Sequence, residues 1–250
     1  MTRFKAFSIH LGCSLIIFAA LAALVVWVWY PGFFFETDGG WQGIRIIVLV
    51  DLVLGPLLTL VVYKAGKPGL KMDLTLIALF QTACLIAGTY VVYSERPLAL
   101  VYVDGQFNSV TADTFEAAGM AVPDFDQYPG PSPKWVMVNM PQDPTEQSKL
   151  RRAVIERKLP SALLVDQYVA FDPEHSLFTD GAAEFSDIKA RDHDNVGATK
   201  FFGKFGANER AYRFYPYAAR YQYFYLAFNE GDSELVGTLT THSPEPANKP

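Results

Sequence analysis

Asp192, His193 and Asp194 are consecutive in the C-terminal half. They have the side-chain types that bind a divalent metal ion, because carboxylates beside an imidazole can ligate one. Their neighbours Arg191 and Asn195 are, however, typical of a solvated loop. The sequence also contains no G-x-S-x-G, HExxH or CxxC motif and no Gly-rich phosphate loop. We therefore predict no metal, no cofactor and no catalysis, and retain a metal-dependent enzyme that uses this triplet as the alternative.

Asp51 is a carboxylate inside an apolar run from Ile44 to Tyr63. An ionised carboxylate in a bilayer costs a few kcal/mol unless it is paired or neutralised. A proton relay would need several ionisable groups, and the apolar runs offer only this one at depth. A polar contact between helices is thus the preferred interpretation, and Gly55-Pro56 one turn later would open the backbone to receive a partner. Asparagine at position 51 should then be tolerated, whereas leucine should not. The candidate hydrogen-bond partners are Arg45, Gln81 and Thr89.

A tyrosine-rich segment forms the third candidate site. Residues 201–228 contain 12 Phe or Tyr, and the stretch from Tyr221 to Leu226 alternates with strand periodicity. Such residues most often form a core, but tyrosines on both faces exceed what one buried face requires, and protein interfaces favour tyrosine. A sheet edge here could also accept an added strand. The predicted partner-binding residues are Tyr217, Tyr221, Tyr223 and Tyr225.

Three apolar segments occupy the N-terminal part of the chain. They run from Phe7 to Tyr30, Ile44 to Tyr63 and Leu74 to Tyr93, and each approaches the roughly 20 residues that a helix needs to cross a bilayer. The first run continues into Trp27 and Trp29, which resemble an interfacial aromatic belt rather than a signal-peptide cleavage site. We predict three membrane-spanning helices in contact with lipid.

The charges divide the chain in the same way. Residues 1–93 carry 6 Lys/Arg and 4 Asp/Glu, a net +2, whereas residues 94–250 carry 15 and 22, a net −7. This division excludes a wholly soluble enzyme and a transporter that fills the whole chain, and the acidic half argues against nucleic acid as a partner. The loop at residues 31–43 has no Lys or Arg, so the basic flanks predict a cytoplasmic N-terminus and, in a bacterium, a periplasmic C-terminal half. Those basic residues are Arg3, Lys5, Lys64, Lys67 and Lys71.

The C-terminal half shows the signals of a small α+β domain. Asp104-Gly105 predicts a hairpin turn, and Asp143-Pro144 predicts a helix that starts there and runs to about Lys158. Leu150, Val154 and Ile155 would give this helix its apolar stripe, while residues 166–198 resist assignment. We predict a membrane protein with three N-terminal transmembrane helices, followed by a periplasmic α+β domain with a mostly antiparallel sheet. The predicted boundaries are 1–95 for the transmembrane domain, 96–241 for the periplasmic domain and 242–250 for a disordered tail.

The membrane half also carries long, distinctive motifs. They are Trp29 to Glu36 (WYPGFFFE), Asp38 to Gly43 (DGGWQG), Val50 to Leu60 (VDLVLGPLLTL) and Lys67 to Lys71 (KPGLK). Over roughly residues 1–110 this pattern resembles the TfpX/TfpZ family of type IV pilin accessory proteins. The resemblance implies a chaperone-like factor without catalysis that helps a major pilin reach the cell surface. The implied partners are the major type IV pilin, inner-membrane lipid and the pilus assembly machinery, and no functional residues are carried over.

The predicted orientation can be tested with reporter fusions. Alkaline phosphatase fused after Pro250 should be active, and green fluorescent protein at the same position should be dark, because the basic flanks hold the N-terminus in the cytoplasm. Enzyme activity and whole-cell fluorescence provide the two measurements. The reverse pattern would contradict the compartment assigned to the C-terminal half.

Overall fold

The structure is a computed structural model that describes residues 2–141, 143–192, 195–206, 208–219 and 223–241. The chain divides between Arg96 and Pro97 into two compact units, which we call the membrane unit and the sheet unit. The predicted tail at 242–250 lies outside the described residues.

Three helices of the membrane unit are long and apolar enough to cross a bilayer. They are α1 (Arg3–Trp29), α2 (Gly40–Val62) and α3 (Leu70–Ser94), with 27, 23 and 25 residues. At about 1.5 Å per residue each is roughly 35 to 40 Å long, which exceeds a hydrocarbon core of about 30 Å. The helix α1 starts before the predicted segment because the Thr2 side chain caps it by accepting a hydrogen bond from Lys5 N. A single helical turn at Phe34–Thr37 lies between α1 and α2.

The outward surface of the membrane unit is apolar. Large side chains on all three helices are mostly exposed, among them Ile16, Val61 and Phe80. Tyr30 is instead buried, and its hydroxyl donates a hydrogen bond of 2.8 Å to the Val92 carbonyl, which ties the end of α1 to α3. This arrangement fits a membrane anchor, since lipid solvates the apolar exterior while the few polar groups turn inward.

The sheet unit contains seven strands among the described residues, in the order β4-β3-β1-β2-β5-β6-β7. The β1·β2, β3·β4, β5·β6 and β6·β7 pairs are antiparallel, whereas β1·β3 and β2·β5 are parallel. The prediction of three membrane helices followed by a mostly antiparallel sheet is confirmed. The strands are β1 (Pro97–Val103), β2 (Gln106–Thr111), β3 (Lys134–Val138), β4 (Tyr168–Ala170), β5 (Tyr212–Ala218), β6 (Tyr223–Asn229) and β7 (Leu235–Thr240).

Helices connect and cover these strands. The segment that resisted assignment from sequence, residues 166–198, holds β4, two short helices and the start of a third. Thr111 and Asp143 cap the helices that follow them, and Leu150 and Val154 pack against the core. Ile155, predicted as part of the same stripe, is 75% exposed because it lies off the packed face. The helices are α4 (Ala112–Ala117), α5 (Pro144–Arg157), α6 (Ser176–Thr179), α7 (Phe185–Arg191) and α8 (Val196–Phe205).

Both faces of the sheet are covered. Consecutive residues of β1 are buried although their side chains alternate between the two faces. Ala99, Val101 and Val103 of β1 belong to a largely aliphatic cluster on one face. Tyr102 points to the other face and belongs to an aromatic cluster with Phe107, Phe178 and Tyr215. The rings of Phe178 and Tyr215 stack at 4.1 Å between centroids. The aromatic residues of this unit therefore largely build its interior.

Two tyrosine hydroxyls in the aromatic cluster hold α6 in place. Tyr102 Oη donates to the Leu177 carbonyl at 3.0 Å, and Tyr215 Oη donates to the Phe178 carbonyl at 2.9 Å. Burial raises the pKa of Tyr215 to about 12, against about 10 for an unfolded chain. As pH rises from about 10 to about 12, the unfolded chain releases this proton before the folded one does, so stability falls across that range.

Tyr215→Phe should lower the free energy of unfolding by about 1–2 kcal/mol at neutral pH, because the buried Phe178 carbonyl loses its donor. The deficit should shrink between about pH 10 and about pH 12, since phenylalanine does not titrate. Denaturant unfolding followed by near-ultraviolet circular dichroism measures both effects. Tyr128→Phe is the control, because its half-buried hydroxyl makes only a 3.4 Å hydrogen bond. An unchanged alkaline profile in Tyr215→Phe would contradict this assignment.

Candidate functional site

Five polar side chains meet inside the membrane unit. They are contributed by all three helices and form what we call the membrane polar network. Asp51 is 1% exposed, Ser14 is 2% exposed and Gln81 is 9% exposed. The members are His10 and Ser14 on α1, Asp51 and Thr59 on α2, and Gln81 on α3.

The Gln81 amide joins the other two helices. Its Nε2 donates to Asp51 Oδ1 at 2.6 Å, and its Oε1 lies 2.9 Å from His10 Nε2. Ser14 Oγ also donates to Asp51 Oδ1, at 3.1 Å, and His10 Nδ1 lies 2.6 Å from Thr59 Oγ1. In a bilayer, where water cannot supply these hydrogen bonds, such contacts specify how the three helices pack.

The backbone of α2 is irregular at this point. Val48–Leu54 is π-helical, so the Asp51 carbonyl would accept from residue 56, but Pro56 has no N–H. Gln81 Nε2 lies 3.3 Å from that carbonyl and takes the place of the missing donor. Gly55 is equally constrained, because a Cβ added there would overlap the Gln81 amide. Gly55 and Pro56 thus let Gln81 reach both the backbone and the side chain of Asp51.

The structure selects one of the three partners considered for Asp51. The described hydrogen bonds to its side chain come from Gln81 and Ser14, and none of them comes from Arg45 or Thr89. His10, Ser14 and Thr59 were not predicted from the sequence as members of a site. Their spacing could have indicated a shared helix face. His10 and Ser14 are four residues apart on α1, and Asp51, Gly55 and Thr59 follow one another at intervals of four on α2, so each set lies on one face.

The position of His10 corrects the prediction about ionisable side chains inside the membrane. Asp51 was taken as the only ionisable side chain at depth, but folding brings His10 into the same network through Gln81. The two side chains belong to different helices and lie far apart in sequence, so local patterning could not join them. Asp51 Oδ2 is buried and receives no hydrogen bond from the described residues.

The tyrosine-rich segment is less exposed than the sequence predicts. Tyr217 is 0% exposed and Tyr225 is 2% exposed, and burial raises the pKa of Tyr225 to about 12. Because neighbouring helices and strands cover both sheet faces, these two side chains are core residues and cannot form a free surface. Tyr223 is half-buried, with the Arg191 guanidinium 5.4 Å from its ring centroid. Tyr221 lies outside the described residues.

Asp192 has a structural role at the start of α8. It is 0% exposed, its Oδ2 accepts from Ala198 N at 2.9 Å, and its Oδ1 accepts from Gly197 N at 3.4 Å. A carboxylate is favourable at this position because the first N–H groups of a helix lack internal partners. His193 and Asp194 lie outside the described residues, and the residues that the structure describes include no group of three metal-ligand side chains.

Gly55→Ala should lower the amount of protein in the membrane fraction severalfold, because the new methyl displaces Gln81 from both of its neighbours. Gly12→Ala on α1 is the matched control, since no atom lies within 4 Å of the added Cβ. Immunoblotting and the midpoint temperature of unfolding in detergent measure the effect. Equal losses in both variants would show that the close approach at Gly55 is unimportant.

Comparison with known proteins gives related sequences. Residues 1–37 match the family model described as fimbrial assembly protein FimB. The fimbrial assembly protein of serogroup I from Dichelobacter nodosus is 32% identical over 130 residues, which cover 50% of each chain. The protein of serogroups C1 and C2 from the same organism is 36% identical over 101 residues, 39% of this chain and 76% of the relative. No solved structure matches.

The extent of these matches decides what they establish. The chain spans about half the length of the first curated relatives it matches, at 50% of each. It covers 76% of the third relative at 36% identity, which is enough for common descent. The expected resemblance to pilin accessory proteins is confirmed at the level of the family. The chain belongs to the fimbrial assembly protein family.

Proposed function

We propose that this protein acts in fimbrial assembly as a non-catalytic factor of the bacterial inner membrane. In this proposal it binds the major type IV pilin and promotes its assembly into the pilus. The single observation that carries the proposal is the sequence similarity to relatives named fimbrial assembly proteins. The pilus assembly machinery is a further partner in this scheme.

The two-unit layout supports this role. A pilin before assembly has an apolar helix in the membrane and a globular head outside it, so a helper that handles it needs a surface for each part. The membrane unit has an apolar exterior, and Ala19 and Ala20 on α1 are exposed. Small side chains of this kind allow another helix to approach closely. The proposal places the sheet unit in the periplasm, beside the pilin head.

The sheet unit offers a smaller aromatic surface than its sequence suggests. Among the described tyrosines of the predicted surface, only Tyr223 is partly accessible, and Arg191 beside it is exposed. Tyrosine and arginine are the residue types that most often contribute strongly at protein interfaces. We therefore propose that contact with the pilin head centres on Tyr223 and Arg191, together with the predicted residue Tyr221.

The alternative, a periplasmic enzyme that modifies pilin through Asp192, His193 and Asp194, has weaker support. Both carboxylate oxygens of Asp192 already accept backbone hydrogen bonds at the start of α8. A metal ion would have to displace those N–H groups and leave the helix terminus unpaired. A catalytic role would thus rest on His193 and Asp194.

Tyr223→Ala should reduce crosslinking to pilin about tenfold to a hundredfold, the loss expected when an interface tyrosine worth about 1–3 kcal/mol is truncated. The protein level should stay near normal because this ring is only half-buried. Crosslinking in the membrane fraction, immunoblotting and counts of surface pili provide the measurements. Tyr221→Ala extends the test to the neighbouring predicted position.

Tyr217→Ala and Tyr225→Ala are the matched controls, and they should lower the protein level because they empty core positions. His193→Ala and Asp194→Ala test the alternative. Loss of pili in either variant at normal protein level, with pilin still crosslinked to Tyr223→Ala, would contradict the binding proposal and favour a metal-dependent activity.

A further inference from the structure

The membrane polar network contains two ionisable side chains on different helices. His10 and Asp51 each contact the Gln81 amide, at 2.9 Å through His10 Nε2 and at 2.6 Å through Asp51 Oδ1. A single amide therefore separates an imidazole from a carboxylate inside the membrane unit. Neither the family nor the proposed function assigns a role to this pair.

The orientation of the Gln81 amide follows from its neighbours. Its nitrogen lies 3.3 Å from the Asp51 main-chain carbonyl, which can only accept a hydrogen bond. The NH₂ group must therefore face Asp51, and Oε1 must face His10. Because Oε1 can only accept, His10 Nε2 carries a hydrogen and donates it. The negative end of the amide dipole thus lies toward the imidazole, and the positive end lies toward the carboxylate.

The other imidazole nitrogen is free to change its protonation. Nδ1 lies 2.6 Å from Thr59 Oγ1, and a hydroxyl can either donate or accept. In neutral His10, Thr59 donates to the Nδ1 lone pair. When that lone pair binds a proton, the new N–H donates to Thr59 Oγ1 and the hydroxyl rotates. Proton uptake reverses one hydrogen bond and requires no displacement of a heavy atom.

The hydrogen bonds to Asp51 are unevenly divided between its two carboxylate oxygens. Two donors, Ser14 Oγ and Gln81 Nε2, meet at Oδ1, which suits an ionised carboxylate. Oδ2 is buried without a hydrogen bond from the described residues, so hydrogen bonds alone do not balance the charge.

Other titratable side chains on the three helices do not share this network. Within the described residues, no hydrogen bond or ion pair joins any of them to it. Cys13 is exposed and Cys84 is half-buried, Arg45 is exposed, and Tyr63 lies at the end of α2. The titratable side chain nearest to Asp51 by hydrogen-bonded connection is therefore the His10 imidazole.

We propose that His10 and Asp51 form a proton-binding site within the membrane unit. The His10 imidazole holds the proton, the Asp51 carboxylate is its counter-ion, and Gln81 transmits the interaction between them. The ligand is a proton taken up at Nδ1. The bound proton stabilises the packing of α1 against α2 and α3, because its loss leaves the carboxylate of Asp51 without a compensating charge.

Nitrogen-15 magnetic resonance of histidine-labelled full-length protein in nanodiscs tests the charge directly. The His10 signals are those absent from His10→Gln. At the same pH, the imidazolium fraction of His10 should be larger in the natural protein than in Asp51→Asn. Asp73→Asn is the matched control, since Asp73 pairs with Lys67 outside the network. Equal imidazolium fractions in the natural protein and in Asp51→Asn overturn the proposal.

A double variant separates charge pairing from simple hydrogen bonding. His10→Gln and Asp51→Asn should each lower the midpoint temperature in detergent, and the combination should recover at least half of the summed loss because no unpaired charge remains. As the pH rises, the midpoint temperature of the natural protein should decrease more than that of the double variant, which lacks both groups. Additive losses overturn the proposal. So does an Asp51→Asn variant as stable as the natural protein, which is the result expected if Asp51 acts only as a hydrogen-bonding contact between helices. Neither measurement involves pilin, so failure here is distinct from failure of the assembly role.

Discussion

Polar groups inside a bilayer must find partners within the protein, and the architecture of the membrane unit depends on how Gln81 meets that requirement. Its amide reaches Asp51 on α2 and His10 on α1 from α3. Gly55 leaves room for it, and the Asp51 carbonyl is available because Pro56 has no N–H. The irregular backbone of α2 is therefore part of the helix packing, because a regular helix would use that carbonyl itself.

The inside and the outside of the membrane unit serve different purposes. The interior is a specific polar network, while the exterior is apolar and rich in exposed aliphatic and aromatic side chains. Apolar contacts with lipid do not select one helix arrangement over another, whereas directional hydrogen bonds do. The network can thus hold the bundle in one arrangement while its apolar surface stays available to lipid or to the helix of a partner protein.

The sheet unit solves a different problem, since water solvates its surface. An aliphatic cluster around Val101 and an aromatic cluster around Tyr102 lie on opposite faces of the sheet, and the hydroxyls of Tyr102 and Tyr215 hold α6 against the aromatic cluster. Many aromatic side chains of the sheet unit are buried in this cluster and are therefore not available at the surface. Tyr223 and Arg191 stay at least partly accessible, and Asp192 accepts backbone hydrogen bonds at the start of α8. Both features support the binding role that we propose.

The sequence alone determined the three spanning segments, the mostly antiparallel character of the sheet and the helix start at Asp143, because these depend on local composition and spacing. Tertiary structure alone decided which polar residues meet. Asp51 and Gln81 are 30 residues apart and His10 and Gln81 are 71 apart, so no local pattern links them. It also decided the burial of Tyr217, since strand periodicity says which side chains share a face but not which face another element will cover.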